Sequence, residues 1–211
     1  MNKTVAFIDA GFLRPSFARI AGRNPGSIEV DYAEVVHWCR LAARRLSSPL
    51  LRVYWYDGAY EPTHPQYAIQ RKEFEKISDT PGIQVRLGHL QKRKSIEKAA
   101  IRKAMNELGL NFSELEKKVD FGDSYEQKGV DSLIVLDLVR LAQAGVYDTA
   151  ILIASDRDLV EGVKVAQDSG ALVVVARPGT YAISKEMARV CDELVSISSD
   201  IARRIVLERN S

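Results

Sequence analysis

Short apolar runs rich in β-branched and aromatic residues alternate along this chain with stretches whose apolar side chains recur every three to four positions. That alternation is the pattern of a parallel sheet covered by helices. The runs at 4–8, 51–56, 83–87, 149–154 and 172–176, with a shorter one at 193–197, are predicted strands. Between them, 32–46 sets Val35, Val36, Cys39, Ala42, Ala43 and Leu46 on one stripe, and 65–77 and 131–144 repeat that spacing; these are the predicted crossover helices. Strands this apolar need cover on both faces, so the expected fold is α/β, a Rossmann-like three-layer sandwich with a mainly parallel sheet.

Two stretches break the alternation. Gly22-Arg-Asn-Pro-Gly26 reads as a loop, because two glycines and a proline interrupt any regular period. The longer one, 91–127, opens with Lys92-Arg93-Lys94, continues through a helical pattern at 95–108 with Ile101, Met105 and Leu108 on one stripe, and then runs through 112–119 to a Gly-Asp turn. It is expected to be a basic helical insertion within one domain spanning 1–211. The end, 199–209, alternates apolar and basic residues in helical phase and should close that domain.

Composition narrows the function little. With 46% apolar content, 211 residues can bury one good core. Thirty basic against 28 acidic side chains leave a net charge of +2, too small for a global pull toward nucleic acid or membrane, so any basic surface must be local. Two cysteines outside any Cys-x-x-Cys pattern argue against a disulfide framework or a zinc site. No apolar run is long enough to span a bilayer and Met1-Asn-Lys-Thr4 leads straight into a strand, so a cytoplasmic, unprocessed protein with no membrane partner is expected.

The chemistry lies in aspartates placed where the chain leaves its apolar runs. Asp9 follows the first strand, Asp131 opens a predicted helix, and Asp156 and Asp158 follow the fourth strand. In an open parallel sheet such positions converge outside the carboxyl ends of the strands, where strand order reverses. Two carboxylates about 5 Å apart repel by roughly 3 kcal/mol at an effective dielectric of about 20, so a cluster of four needs cations or bound protons. Oxygen donors without histidine or cysteine select Mg2+ or Mn2+. An ion of that kind suits phosphodiester hydrolysis, because it polarises the phosphate and acidifies an attacking water.

Each position also has a plainer reading. Asp131 can cap its helix, and Asp156 can cap the next one with Asp158 in its first turn. Asp9 is harder to dismiss, since a carboxylate directly after a buried strand needs donors that the sequence does not display. Asp137 lies six residues beyond Asp131, about 120° around the helix, and is a weak candidate. Asp57, in an Asp-Gly pair, reads as a turn. Lys128 and Ser155 are possible substrate contacts beside the aspartates. Lys92, Arg93, Lys94, Lys98 and Arg102 can track a phosphate backbone, although Glu97 and Glu107 interrupt them. Tyr54, Trp55 and Tyr56 offer aromatic surface that strand alternation should largely bury. His37, His64 and His89 show no metal-ligand spacing.

Asp9 after the first strand, Lys128-Gly129-Val130-Asp131 with Asp137 beyond it, Tyr147-Asp148-Thr149 before a strand, and Ser155-Asp156-Arg157-Asp158-Leu159 together resemble the NYN domain, particularly its LabA-like bacterial branch. The resemblance covers most of the chain, is strongest over 128–175 and is weak over 91–127. It implies a PIN-like nuclease fold with an acidic magnesium site and RNA as substrate, with Asp9, Asp131, Asp156 and Asp158 in the metal-binding positions. Two departures stand out. Gly11 and Phe12 occupy positions where such domains commonly carry an asparagine, and Ala154 replaces a frequent serine, with Ser155 adjacent. The leading expectation is an Mg/Mn-dependent ribonuclease. The alternatives are an NYN-fold RNA-binding or regulatory module weakened in catalysis, and a metal-dependent phosphatase or nucleotide hydrolase. Against the last, Asp9 is followed by Ala10-Gly11 rather than completing an Asp-x-Asp, and no Gly-x-x-x-x-Gly-Lys loop occurs.

Overall fold

A computed structural model describes residues 2–92, 96–111, 125–181 and 183–209. Seven strands form one sheet: β1 (Thr4–Asp9), β3 (Leu50–Ala59), β4 (Ile83–Lys92), β5 (Tyr125–Lys128), β6 (Thr149–Ile153), β7 (Leu172–Pro178) and β8 (Glu193–Ile197). Their order is β5-β4-β3-β1-β6-β7-β8, parallel throughout except where β5 pairs antiparallel with β4. The chain moves outward from β1 through β3 to β4, then returns to lay β6 on the other side of β1. Strand order therefore reverses at β1, and the crevice of an open α/β sheet opens at its carboxyl end. A separate two-stranded ribbon joins β2 (Ile28–Val30) to β9 (Val206–Glu208).

Alternation along the central strands explains the layers. Ala6 and Ile8 of β1, with Val53 and Trp55 of β3, face the core under α1 (Ala10–Ala21), α2 (Tyr32–Arg45) and α8 (Ser199–Ile205). Val5, Phe7, Tyr54 and Tyr56 face the opposite core, under α5 (Val130–Gln143), α6 (Val160–Asp168) and α7 (Lys185–Val190). Two further helices are α3 (Tyr67–Ser78) and α4 (Ile96–Glu107). In the second core Phe7 stacks on Tyr54 at 5.7 Å and meets the edge of Tyr147 at 5.6 Å, pairs worth about 1 kcal/mol each beyond area burial. Tyr54, Trp55 and Tyr56 are thus committed to the two cores and offer no stacking surface.

The expected three-layer α/β fold is the observed one, with corrections at its edges. Helix α1 has no counterpart in the predicted elements. The stretch 91–127 is not simply a helical insertion, because its ends are strand: β4 runs on to Lys92, and β5 returns alongside it with Tyr125 paired to Lys92 and Lys128 to His89. The expected helical stretch at 112–119 lies outside the described residues, as do Arg93 and Lys94. The closing helix stops at Ile205 and the chain continues as β9. Among the described residues no helix is long and apolar enough to cross a membrane.

Candidate acidic site at the carboxyl ends of the strands

Asp9 ends β1 and caps α1, its carboxylate accepting a hydrogen bond from the Gly11 N–H at 2.8 Å. Burial, then the neighbouring charge of Asp131, pushes its pKa up to about 6 from an ordinary 3.8, and Asp57 adds to the rise. The Gly11 and Phe12 amides pull the other way but do not win.

Asp131 is half-buried in the first turn of α5. The cap itself is Gly129, at φ 79°, a left-handed backbone that favours glycine, so capping is not the role of Asp131. Burial, then the charges of Asp156 and Asp158, raises its carboxyl above the usual range. Asp156, exposed, caps a single 3-10 turn (Arg157–Leu159) by accepting from the Asp158 N–H at 2.9 Å. Capping and acidic-site roles therefore coincide there. The four predicted aspartates are electrostatic neighbours: Asp9 feels Asp131, and Asp131 feels Asp156 and Asp158.

A fifth carboxylate, Asp57, is a strand residue and not the turn residue that its Asp-Gly pair suggests. It lies inside β3, one position beyond Tyr56, the register partner of Asp9, and is 3% exposed. Arg14 of α1 pairs with it at 2.7 Å, the Gly58 N–H donates at 2.9 Å, and the side-chain amide of Gln127 donates at 3.1 Å. Burial still raises its pKa against the pull of Arg14. The same guanidinium bonds Glu73 at 3.2 Å and lies over the Trp55 ring, while the Tyr32 hydroxyl donates to Glu73 at 2.7 Å. The signal for Asp57 was available, since it follows the apolar part of its strand just as Asp9 follows its own. Arg14 and Gln127 had none.

Gln127 bears on the missing asparagine. A Cβ at Gly11 would sit 2.5 Å from Gln127 Oε1 and 3.2 Å from Asp9 Oδ1. The space a side chain at position 11 would take is filled by an amide reaching in from β5.

Asp137 is corrected. It is buried on the sheet side of α5, accepting from the Tyr56 hydroxyl at 3.0 Å and pairing with Arg86 at 3.1 Å and Arg140 at 3.0 Å. These cations and the hydroxyl account for it structurally, and the helical phase that separates it from Asp131 is the reason. Lys128 ends β5, exposed and adjacent to Gly129. Ser155 is half-buried beside Asp156, its carbonyl accepting from the Ser184 N–H at 3.3 Å. Arg102 is exposed on α4; the side chains of Lys92 and Lys98 lie outside the described residues.

The donors gathered at these strand ends are carboxylate oxygens. Among the described residues, no three His, Cys, Asp or Glu side chains stand at direct metal-chelating spacing. A closed zinc site, which takes three or four protein ligands, does not fit that spacing.

The NYN domain family matches residues 23–199. An uncharacterized protein, y4oD, from Sinorhizobium fredii is 46% identical over 48 residues, which is 23% of this chain and 22% of that protein's length. A crystal structure of a protein of unknown function from Vibrio parahaemolyticus superposes with a TM-score of 0.53 over 98% of this chain and 97% of the other, at 16% identity. That last likeness speaks to the fold alone.

Proposed function

Since the chain belongs to the NYN domain family, whose members are generally nucleases, we propose that it is a ribonuclease dependent on Mg2+ or Mn2+, its motif order over 128–175 favouring the LabA-like branch. One observation carries the reading: at the point where strand order reverses, burial raises the proton affinity of Asp9 on β1 and Asp131 on α5, and the charge of Asp131 adds to the rise at Asp9 as those of Asp156 and Asp158 on the β6–α6 connection add to it at Asp131. Carboxylates crowded in this way discharge their repulsion by taking up a proton or a cation, and near neutral pH a cation is the better neutraliser for a group titrating near 6.

In this reading Asp9, Asp131, Asp156 and Asp158 surround the ion, one or two of them bound to it directly and the others through waters that Mg2+ would keep. When bound, it polarises a phosphodiester and lowers the pKa of a water aimed at phosphorus. Asp9 is fixed by its hydrogen bond to Gly11, and Asp131 by its place in the first turn of α5. Asp57, paired with Arg14, lines the wall beside Asp9 and adds to the rise in its proton affinity. Lys128 and Ser155, flanking the acidic residues along the chain, are the groups proposed to meet the substrate phosphate, and the basic run of Lys92, Arg93, Lys94, Lys98 and Arg102 along the sequence is proposed to follow the nucleic-acid backbone.

Gly11 motivates a second reading, a binding or regulatory module without turnover. The test is manganese-dependent cleavage of labelled single-stranded RNA by the wild type and by Asp9→Asn. Cleavage that collapses in the variant supports the assignment, and equal rates remove Asp9 from catalysis. Binding without cleavage by the wild type favours the regulatory reading, whereas phosphate release from nucleotides alone favours a phosphohydrolase.

A further inference from the structure

Tyr60, immediately after β3, stacks face to face on the His64 ring at 3.9 Å with 3° between the planes. Tyr125, which opens β5, stands nearly perpendicular to both, at 5.2 and 5.0 Å, and its hydroxyl shares a 2.8 Å hydrogen bond with His64 Nε2. All three side chains are half-exposed. Gln70 pins the segment from below, accepting from the Tyr60 N–H and donating to the Gly58 carbonyl, each at 2.8 Å. The rings are therefore held in place before any ligand arrives, which lowers the entropic cost of adding another ring to the stack.

Both elements that carry these rings also enter the acidic site. Tyr60 lies three residues beyond Asp57, about 10 Å along an extended chain, and its phenol feels the Asp57 charge. Tyr125 lies two residues before Gln127, hence on the same face of β5 and about 7 Å away. A planar group stacked here would sit roughly one to two nucleotides from Asp57 and Gln127 at the edge of the acidic site.

We propose that Tyr60, His64 and Tyr125 form a stacking platform that takes an unpaired nucleobase of the substrate strand at the edge of the acidic site. This rests on the nuclease reading for its ligand, but not for its test. Stacking is sequence-tolerant because every base has a π-face, and a base inside a duplex is already stacked and cannot be delivered to the rings.

The experiment is fluorescence anisotropy in EDTA, where no cleavage occurs, with a labelled oligouridine, the same backbone carrying abasic sites, and a duplex. The wild type should prefer the base-bearing single strand. His64→Ala and Tyr125→Ala should weaken binding of that strand by roughly 5- to 150-fold and leave the abasic strand unchanged, and Tyr60→Phe should keep wild-type affinity. A loss equal for base-bearing and abasic strands means the rings merely buttress β5 and overturns the proposal. So does a wild type that fails to distinguish the two strands, including one that binds neither. Because binding is read without metal, a wild type that binds the base-bearing strand in EDTA but cleaves no RNA with Mn2+ would refute the nuclease reading while leaving the platform standing, and cleavage without base-dependent binding would do the reverse.

Discussion

Replacing Asp9 by asparagine should stabilise the metal-free protein at neutral pH. The fold raises this carboxyl from 3.8 to about 6, and at 1.36 kcal/mol per pH unit the ionised form costs roughly 3 kcal/mol relative to the unfolded chain. Asparagine carries no charge to desolvate and caps a helix about as well as aspartate, so the hydrogen bond from Gly11 survives. The sign follows from linkage. Below about pH 4 both folded and unfolded chains hold the proton and the variant gains nothing. Between 4 and 6 the folded wild type keeps a proton that the unfolded chain releases, so wild-type stability falls as pH rises. Above 6 the full cost is felt. Melts in EDTA should therefore show Asp9→Asn tracking the wild type at pH 4 and exceeding it by up to roughly 6–12 °C at pH 8, given about 2–4 °C per kcal/mol for a chain of this size. Mn2+ should close the gap from the other side, stabilising the wild type by about 2.7 kcal/mol at a hundred times its dissociation constant and the variant far less. A variant less stable than wild type at pH 8 in EDTA, or a difference constant from pH 4 to 8, would refute the idea that Asp9 is held against its charge.

Removing Asp137 with Asp137→Ala leaves Arg86 and the Tyr56 hydroxyl without their buried partner and should cost about 3 kcal/mol in urea unfolding, with cleavage per folded molecule unchanged; a stable variant that has lost cleavage would return Asp137 to the site. Gly11→Ala should show strong coupling to Gln127. Alone, the added methyl displaces the Gln127 amide from Asp57 and roughly cancels the gain in helix propensity; in a Gln127→Ala background the same change should stabilise by up to about 1 kcal/mol. Additive effects in that double-mutant cycle would show that the two positions do not compete for space.

The central strands were legible because β1, β3, β6 and β7 are apolar on both faces, a pattern that only a covered parallel sheet explains. The coming together of Asp9, Asp131, Asp156 and Asp158 was legible for a related reason: topology alone carries residues at strand exits and helix entrances to one edge. Helix α1 was not, since Gly11 and Pro15 both lower helix propensity. What holds it is the burial of Phe12, Leu13 and Phe17 against the sheet, a tertiary effect without a local signature. Asp57 was lost because Asp-Gly is a turn signal in isolation, whereas β3 here runs two residues past it. The contributions of Gln127 and Arg14 depend on which elements pack side by side, and no spacing along the chain encodes that.

The pairing of Lys92 with Tyr125 across the β4–β5 ladder makes the intervening excursion a closed detour, its two feet about 5 Å apart on neighbouring strands. Closing such a detour depends only weakly on its length. Engineered chimaeras that lengthen, shorten or exchange that segment should therefore keep Gln127 in register with Leu90 and leave the acid cluster in place.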